Sequence, residues 1–261
     1  MTTEATIERR KDDPPIVAAL KQWEPDLVEA LPEGYSAPRF KSVCINLARA
    51  NPQLLNCTPL SFVSSVLMSA QMGLEPGAPL GLSWIIPRRN KGVLEASFQL
   101  GYQGLRQLAY RSGVVSHIEA RIVEDGDEFI FEHGLGGTNW KHKPQGIPGR
   151  EWTDVYCTAR LVTGAEPFEV MSKAEVLHHR NRYVKDWAKN KAWQENEPEM
   201  ARKTVTARLC RQLPMSVEFR TALTVDGFTP RALSPDLAGL AMLERAAEDE
   251  IVEEEATDAE A

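Results

Sequence analysis

Apolar residues recur at helical spacing in the first part of the chain. The pattern covers residues 16–30, where Pro25 interrupts it, and it returns over residues 36–50. Residues 1–15, which come before it, are polar and charged and end in two prolines, which is typical of a disordered segment. The sequence therefore predicts a disordered N-terminus followed by two helical stretches.

A third helix has recognisable signals at both of its ends. Thr58 is a suitable N-cap, Pro59 suits the first helical position, and Gly73 can end the helix. Its apolar residues fall on one stripe, so we expect that stripe in the core, with polar residues on the opposite side. The stripe consists of Leu60, Val63, Val66, Leu67 and Ala70, and the polar side of Ser61, Ser64, Ser65 and Gln71.

The spacing then changes from helical to alternating. Residues 83–87 are predicted as a short strand, residues 88–92 as a turn, and residues 96–100 as a second, half-buried strand. A helix follows over residues 102–112. The polar side chains of this helix recur every three or four residues, which stacks them in one row, namely Gln103, Arg106 and Tyr110.

The rest of the chain mixes strands and helices. Strands are predicted at 117–123, 128–132, 154–162 and 168–171, with a hairpin turn at 124–127 and a glycine-rich loop at 133–143. Ser172 and Glu175 have the spacing of a capping box, so a basic helix begins there and extends to about residue 187. After a loop, a helix over residues 199–213 has one apolar face formed by Ala201, Val205, Leu209 and Leu213.

Together these elements predict an α+β fold. We expect a small antiparallel sheet with a hairpin packed against several helices, in a single core domain over residues 16–220 with disordered termini. Residues 221–261 are predicted as a linker and an acidic tail, with a short helix over residues 237–247.

Charge is distributed unevenly along the chain. The net charge is −7, but residues 236–261 hold ten of the 37 acidic residues and one basic residue, Arg245. The remainder therefore has 29 basic and 27 acidic residues, and the stretch 171–213 has ten basic residues against five acidic ones. A mildly basic body with a separate acidic tail is compatible with a polyanionic partner.

Several classes of function are disfavoured. The four cysteines form no C-x-x-C pair, which argues against a zinc site or a disulfide framework and fits a cytoplasmic protein. No signal peptide and no stretch of about 20 apolar residues is found, so no membrane association is expected. The phosphate-binding pattern G-x-x-x-x-G-K-[ST] is also missing, which argues against an ATP-driven recombinase, and no cofactor or metal is expected.

Two groups of residues are candidates for binding single-stranded nucleic acid, which needs cations along a backbone and planar groups for the bases. One group is Arg88, Arg89 and Lys91 of the predicted turn, with Gln103, Arg106 and Tyr110 of the following helix. The other is Lys203, Arg208 and Arg211 on one helix, and further candidates are Arg111, Lys141 and Lys143.

Two other functions remain open at this stage. Glu124, Asp125, Asp127 and Glu128 cluster in the sequence, and paired carboxylates can hold the Mg²⁺ of a nuclease. Such residues are also common at turn tips, where these are predicted to lie. A protein-interaction module without catalysis is the other alternative.

Seven segments, in order and with matching spacing, resemble the RecT-type single-strand annealing proteins of phages and prophages. They are ALPEGYSAPRF (30–40), NPQLLNCTPLSF (51–62), SAQMGLEPGAPLG (69–81), FQLGYQGLRQLAYRSG (98–113), EDGDEFIFEHG (124–134), FEVMSKAEV (168–176) and EMARKTVTARLCRQLP (199–214). They lie between residues 30 and 219, which is nearly three-quarters of the chain.

The resemblance implies a non-enzymatic, ATP-independent protein of homologous recombination. Such a protein binds single-stranded DNA, anneals complementary strands to a duplex and promotes strand exchange, as an oligomeric ring or helical filament. The expected partners are a 5′→3′ exonuclease and the host single-strand-binding protein. We expect self-association through the N-terminal helices and the hairpin.

The chain also departs from the family pattern. Gln103 and Ala207 stand where the family often has basic residues, and Gln212 replaces a frequent aromatic residue. The cations that match the family segments are Arg106, which is less regular in the family, with Arg111, Lys203, Arg208 and Arg211. We therefore expect the first candidate group to depend on the second for positive charge.

Overall fold

The structure, a computed structural model, describes residues 13–90, 92–134, 137–147, 149–184, 187–213, 220 and 223–224. The predicted α+β class with small antiparallel sheets is confirmed. Contacts divide the chain into two compact units, one of Met1–Leu100 with Thr224–Ala261 and the other of Gly101–Leu223. The predicted domain limits of 16–220 stay a prediction.

The first unit contains five helices and one hairpin among the described residues. The helices are α1 (Pro15–Gln22), α2 (Glu24–Ala30), α3 (Ala37–Ala50), α4 (Pro52–Leu55) and α5 (Pro59–Gln71). The break near Pro25 and the Thr58 cap of α5 are confirmed, since Trp23 separates α1 from α2 and the Thr58 hydroxyl accepts a backbone hydrogen bond. The Ser36 hydroxyl caps α3 in the same way. The apolar core draws on α1 to α5 and the hairpin, with Phe40 and Phe62 among its fully buried members.

Helix α5 is buried on all sides, so the predicted division into an apolar and a polar side is wrong. Leu60 is exposed, whereas Ser61 and Ser65 are buried. The reason is a strand beside the serines. The Ser61 hydroxyl accepts a hydrogen bond from the Ala96 backbone N–H at 2.9 Å, and the Ser65 hydroxyl donates one to the Ala96 carbonyl at 3.1 Å. These two bonds pair the hydroxyls with the backbone N–H and carbonyl of Ala96, so the serine side chains can be buried against the strand.

The hairpin of the first unit consists of β1 (Ser83–Asn90) and β2 (Val93–Leu100), paired antiparallel. The predicted turn over residues 88–92 is too long, because Arg88, Arg89 and Asn90 continue the strand and pair with residues of β2. Only two residues connect the strands, and the second, Gly92, has a φ of 87°, as tight hairpins require. The first, Lys91, lies outside the described residues.

The part of the second unit that the structure describes contains two sheets. A three-stranded antiparallel sheet has the order β3 (Val115–Glu124), β6 (Trp152–Leu161) and β7 (Phe168–Ser172). A separate hairpin pairs β4 (Glu128–Gly134) with β5 (Gly137–Lys143). The predicted hairpin at 124–127 is therefore wrong, since β3 pairs with β6 across a distant stretch of chain.

The predicted glycine-rich loop over residues 133–143 is also wrong, because most of it is strand β5. Its partner strand supplies the reason. Trp140 and His142 of β5 lie opposite Phe131 and Phe129 of β4, and these rings contact Tyr156 and Phe168 of the three-stranded sheet. Aromatic cross-strand pairs stabilise a strand whose own residues do not predict one.

The helices of the second unit pack against the three-stranded sheet or against a helix that does so. They are α6 (Tyr102–Arg111), α7 (Lys173–Tyr183), α8 (Lys191–Glu195) and α9 (Glu197–Gln212), with a 3₁₀ turn at Trp187–Lys189. Helix α9 packs against all three strands, α6 packs against β3, and α6 and α9 contact each other. The predicted buried face of α9 is confirmed at Ala201, Val205, Leu209 and Leu213.

Helix α7 starts at the predicted capping box, whose two reciprocal hydrogen bonds join Ser172 and Glu175. It ends at Tyr183, four residues before the predicted end. Trp187, at the predicted end, lies outside the helix, and its ring centroid is 3.7 Å from the Arg180 guanidinium. The predicted loop after α7 also contains α8, whose Trp193 is buried.

The last three of the residues 1–15, which were predicted to be disordered, are ordered in the structure. Asp13 forms ion pairs with Lys21 and, at 3.1 Å, with Arg49, and Pro15 begins α1. Residues 1–12 lie outside the described part, as do residues 225–261, which hold most of the predicted linker and all of the short helix and acidic tail.

The four cysteines are free thiols inside the fold. Burial raises the pKa of each thiol, to about 11 for Cys57 and about 12 for Cys157. They are therefore neutral at physiological pH and pack as small apolar groups. No described helix is long and apolar enough to cross a bilayer.

Candidate nucleic-acid interface

Helices α6 and α9 bring together arginines that lie about a hundred residues apart in sequence. Tyr102, in the first turn of α6, is within electrostatic reach of both. The Arg106 guanidinium is 5.8 Å from the centroid of the Tyr102 ring. Burial raises the pKa of the Tyr102 phenol, and the positive charges of Arg106 and of Arg202 on α9 oppose the rise. The two arginines are thus close enough to the same phenol to act on it electrostatically.

Arg106 is half-buried and remains positively charged. Burial disfavours its charge, but a hydrogen bond with Tyr110 and the nearby Tyr102 and Glu119 raise its pKa above the ordinary value. One terminal nitrogen lies 3.5 Å from the Gln103 amide oxygen. The Gln103 side chain, which lacks charge, therefore helps to hold an arginine one turn further along the helix.

Arg202 was not among the residues predicted from the sequence. It is half-buried on α9, and it pairs with Glu199 one turn earlier through one terminal nitrogen. The Nε atoms of both Arg106 and Arg202 make no hydrogen bond with any described residue. The signal for Arg202 lay in its position beside Lys203 in a basic stretch, but only the packing of α6 on α9 shows that it lies near Tyr102.

The hydroxyl and the ring of Tyr110 lie in different surroundings. Its hydroxyl accepts a hydrogen bond from the Ile118 backbone N–H at 3.3 Å and donates one to the Ile118 carbonyl at 3.4 Å. Its ring is 39% exposed. The hydroxyl therefore fastens α6 to β3, and the ring keeps an open face. Arg111, the next residue, is exposed in the last turn of α6.

The three predicted cations of α9 differ in their surroundings. Arg208 is paired with Glu169 of β7 at 2.8 Å and lies 4.0 Å from Glu175 of α7, so its charge is partly neutralised. Arg211 is exposed and forms no ion pair with any described residue. Lys203 is half-buried near the middle of the helix. Of the three, Arg211 is the most available to an anion, and Arg208 contributes to holding α9 on the sheet.

The hairpin β4–β5 carries the predicted Lys141 and Lys143. Both ammonium groups share the Glu128 carboxylate, at 2.6 Å and 3.4 Å. The pKa of Lys141 is raised, chiefly by its hydrogen bond to Glu128. These lysines therefore face a competing carboxylate. Trp140, which contacts the Tyr156 and Phe168 rings and is 42% exposed, is an aromatic group that was not among the predicted contacts.

The hairpin of the first unit carries the remaining predicted cations. The exposed Arg88 lies 3.5 Å from the Gln99 amide oxygen, and Arg89 donates to the Gly92 carbonyl at 3.4 Å. Trp84 is directly opposite Gln99 and is 40% exposed, so it shares a face of the hairpin with Arg88. An aromatic ring, an amide and a guanidinium on one open face form a second candidate surface within this unit.

The acidic cluster considered for a nuclease has a structural role at Asp127. The Asp127 side chain is 1% exposed and accepts hydrogen bonds from the Gln145 backbone N–H, the Arg150 guanidinium and the His142 ring. These hydrogen bonds hold the pKa of the Asp127 carboxyl far below its usual range, and the bond from the Gln145 N–H has the largest effect. No group of three or more potential metal ligands occurs among the described residues.

Comparison with known proteins adds an independent line of support. A sequence model of the RecT family matches residues 38–235. The protein RecT of Escherichia coli (strain K12) is 36% identical over 213 residues, which is 80% of this chain and 78% of that protein. The uncharacterized protein YqaK of Bacillus subtilis (strain 168) is 27% identical over 202 residues, covering 73% of this chain and 64% of that protein.

Proposed function

Because this chain belongs to the RecT family, we propose that it is a single-strand annealing protein of DNA recombination. It binds single-stranded DNA, anneals complementary strands and promotes strand exchange without ATP. The family was predicted from seven short segments, and the comparisons confirm it. The chain's own residues support the DNA-binding part of the proposal.

The observation that carries the proposal is the junction of α6 and α9. It places Arg106 and Arg202 near one tyrosine, in a unit whose α9 also bears Lys203 and Arg211. Arginines bind phosphate oxygens through several donors at once, and a fixed helix pair holds them in a fixed geometry. We propose that this junction grips the DNA backbone.

Annealing sets a particular requirement on such a grip. The protein must hold phosphates while the base edges stay free to test pairing with a second strand. Guanidinium groups on helix faces meet this requirement because they carry charge and need no contact with the Watson–Crick edges. Duplex formation supplies the free energy, so the cycle needs no nucleotide hydrolysis. Binding should weaken with salt because counterions are released.

We further propose that the protein acts as an oligomer in the cytoplasm. Continuous annealing needs subunits in a row, and the first unit offers exposed apolar side chains for their contacts, such as Val28, Leu60 and Val93. An exonuclease that exposes single strands and the host single-strand-binding protein are the proposed functional partners, as the family resemblance implies.

A fluorescence annealing assay tests the proposed function. Two complementary oligonucleotides with a donor and an acceptor dye are mixed with the protein, with and without ATP. We expect faster annealing than in buffer alone and no effect of ATP. Annealing at the spontaneous rate would contradict the proposal, and shortened products in the presence of Mg²⁺ would favour a nuclease instead.

A further inference from the structure

We infer that the solvent-facing side of α7 is a base-stacking site for single-stranded DNA, with the Tyr183 ring as its platform. The inference rests on the proposed function and adds to it a surface that the sequence did not indicate. Residues 175, 179 and 183 are spaced by four and therefore lie in one row along the helix. At the end of that row, Tyr183 is 58% exposed.

The Tyr183 ring has planar and cationic neighbours. The His179 ring lies one turn earlier, with a centroid distance of 4.6 Å and an interplanar angle of 46°. The Arg182 guanidinium lies 5.5 Å from the Tyr183 centroid. An exposed ring beside a guanidinium combines an aromatic face with a cation, and this is the combination that single-strand-binding surfaces use.

The row on α7 runs beside the cationic end of α9. Arg208 reaches to 4.0 Å from Glu175, the first residue of the row. Burial and then the positive charges of Arg211 and Arg208 lower the pKa of His179, the second residue. The exposed Arg211 is therefore close to the middle of the row. A strand whose phosphates contact α9 would pass the Tyr183 ring without leaving the second unit.

Arg180, one turn before Tyr183, is buried and anchors α7, which keeps the exposed residues of the helix in place. Arg180 is buried, with its guanidinium 3.7 Å from the Trp187 centroid and 5.7 Å from that of Trp193. It also pairs with Glu197 at the start of α9 at 3.2 Å. A platform on a helix held in this way binds without first being ordered, which favours binding.

A base suits this surface better than a protein side chain. The recorded ring and cation contacts of Tyr183 are with a polar and a charged side chain, the His179 ring and the Arg182 guanidinium. Such surroundings match a sugar–phosphate strand with flat bases. Stacking on a ring also makes no use of base edges, so it is compatible with annealing.

The test compares single-strand binding by the full chain and its Tyr183 variants. Two labelled oligonucleotides of equal length are used, one of thymidines and one with abasic sites, so that backbone and base contributions separate. We expect Tyr183→Ala to bind the thymidine strand about tenfold more weakly and to lose most of the preference over the abasic strand. Tyr183→Phe keeps the ring and should bind like the parent, whereas Tyr183→Leu, apolar without a ring, should behave like Tyr183→Ala.

Two outcomes would overturn the inference, and they are distinguishable. If the parent binds both strands and Tyr183→Ala binds them equally well, the site is not on α7 while the proposed function stands; a partner protein would then be the better occupant. If the parent binds neither strand at low salt, the proposed function fails and the inference fails with it.

Discussion

The Tyr110 hydroxyl forms hydrogen bonds with both backbone groups of Ile118, accepting from the N–H at 3.3 Å and donating to the carbonyl at 3.4 Å. This contact attaches the last turn of α6 to β3, whose Ile118 side chain is fully buried. It also orients the helix that carries Arg106. A residue predicted as a DNA contact therefore has a structural function as well, and the two can be separated.

Tyr110→Phe should separate them, because it removes the hydroxyl and keeps the ring. We expect a loss of about 1 kcal/mol in the free energy of unfolding, the usual net value of a hydrogen bond, and only a small loss of DNA affinity, since the ring stays while the interaction of the hydroxyl with Arg106 is removed. Tyr110→Ala should lose both stability and affinity. Urea unfolding and fluorescence anisotropy measure the two effects, and equal affinities for the two variants would remove the ring from the interface.

Arg211 should matter more for DNA binding than Arg208, although both were predicted from the sequence as contacts. Arg208 is already paired with Glu169, and Arg211 has no such carboxylate among the described residues. We expect Arg211→Ala to make the slope of the logarithm of the binding constant against the logarithm of the salt concentration shallower by about 0.7, the value for one phosphate contact on a single strand. The slope for Arg208→Ala should change less, and the reverse order would contradict this assignment.

Glu169→Gln provides a matched test of the same pair. The variant leaves the side chain nearly the same size and removes the charge that competes for Arg208. If Arg208 can reach DNA, binding at low salt should become tighter, because the guanidinium is then less neutralised. An unchanged affinity would indicate that Arg208 serves only to hold α9 on β7.

Asp127→Asn should destabilise the second unit by about 2 kcal/mol at neutral pH, because a buried acceptor of charged hydrogen bonds loses its charge. The folded-state pKa of Asp127 lies below its ordinary value of 3.8. Its contribution is therefore full above that value and is lost as the pH falls below it. The difference in the free energy of unfolding between parent and variant, measured by urea unfolding, should shrink from pH 7 to pH 3. A constant difference would contradict the stabilising role of the charged Asp127 carboxylate.

Removal of residues 236–261 should leave annealing intact or increase it. This segment holds ten acidic residues and one basic residue, so it can compete with DNA for cations but cannot contact phosphates favourably. The effect should be largest at low salt and vanish as salt screens the charges. A truncated protein that folds, by circular dichroism, but anneals more slowly would contradict this expectation.

Local signals in the sequence predicted the helices well, because caps act within one turn. Thr58 and the Ser172–Glu175 box mark helix starts that the structure confirms. Long-range pairing explains the errors. Strand β5 depends on rings of β4 and of the three-stranded sheet, and the serines of α5 are buried because they bond to Ala96. Neither relationship is visible within a short window of sequence.

The candidate interface shows the same limit. Basic and aromatic residues at helical spacing predicted Arg106 and Tyr110, but the nearness of Arg202 depends on how α6 packs against α9. The sequence also could not show that Arg208 is paired with Glu169, 39 residues earlier in the chain. Charge can be counted from a sequence, but its availability depends on the fold.

The most direct test of the central claim removes the two arginines near Tyr102. One double variant combines Arg106→Ala with Arg202→Ala. The control double variant combines Arg160→Ala with Lys173→Ala and removes the same charge from residues of the second unit that pair with Glu166 and Glu151. Binding to a single-stranded oligonucleotide is measured by anisotropy over a range of salt. We predict that the first variant loses about 0.7 in salt slope from Arg106, a smaller amount from Arg202, whose charge Glu199 partly neutralises, and at least tenfold in affinity, with the control close to the parent. Equal binding by both double variants would contradict the claim that the α6–α9 junction grips the DNA backbone.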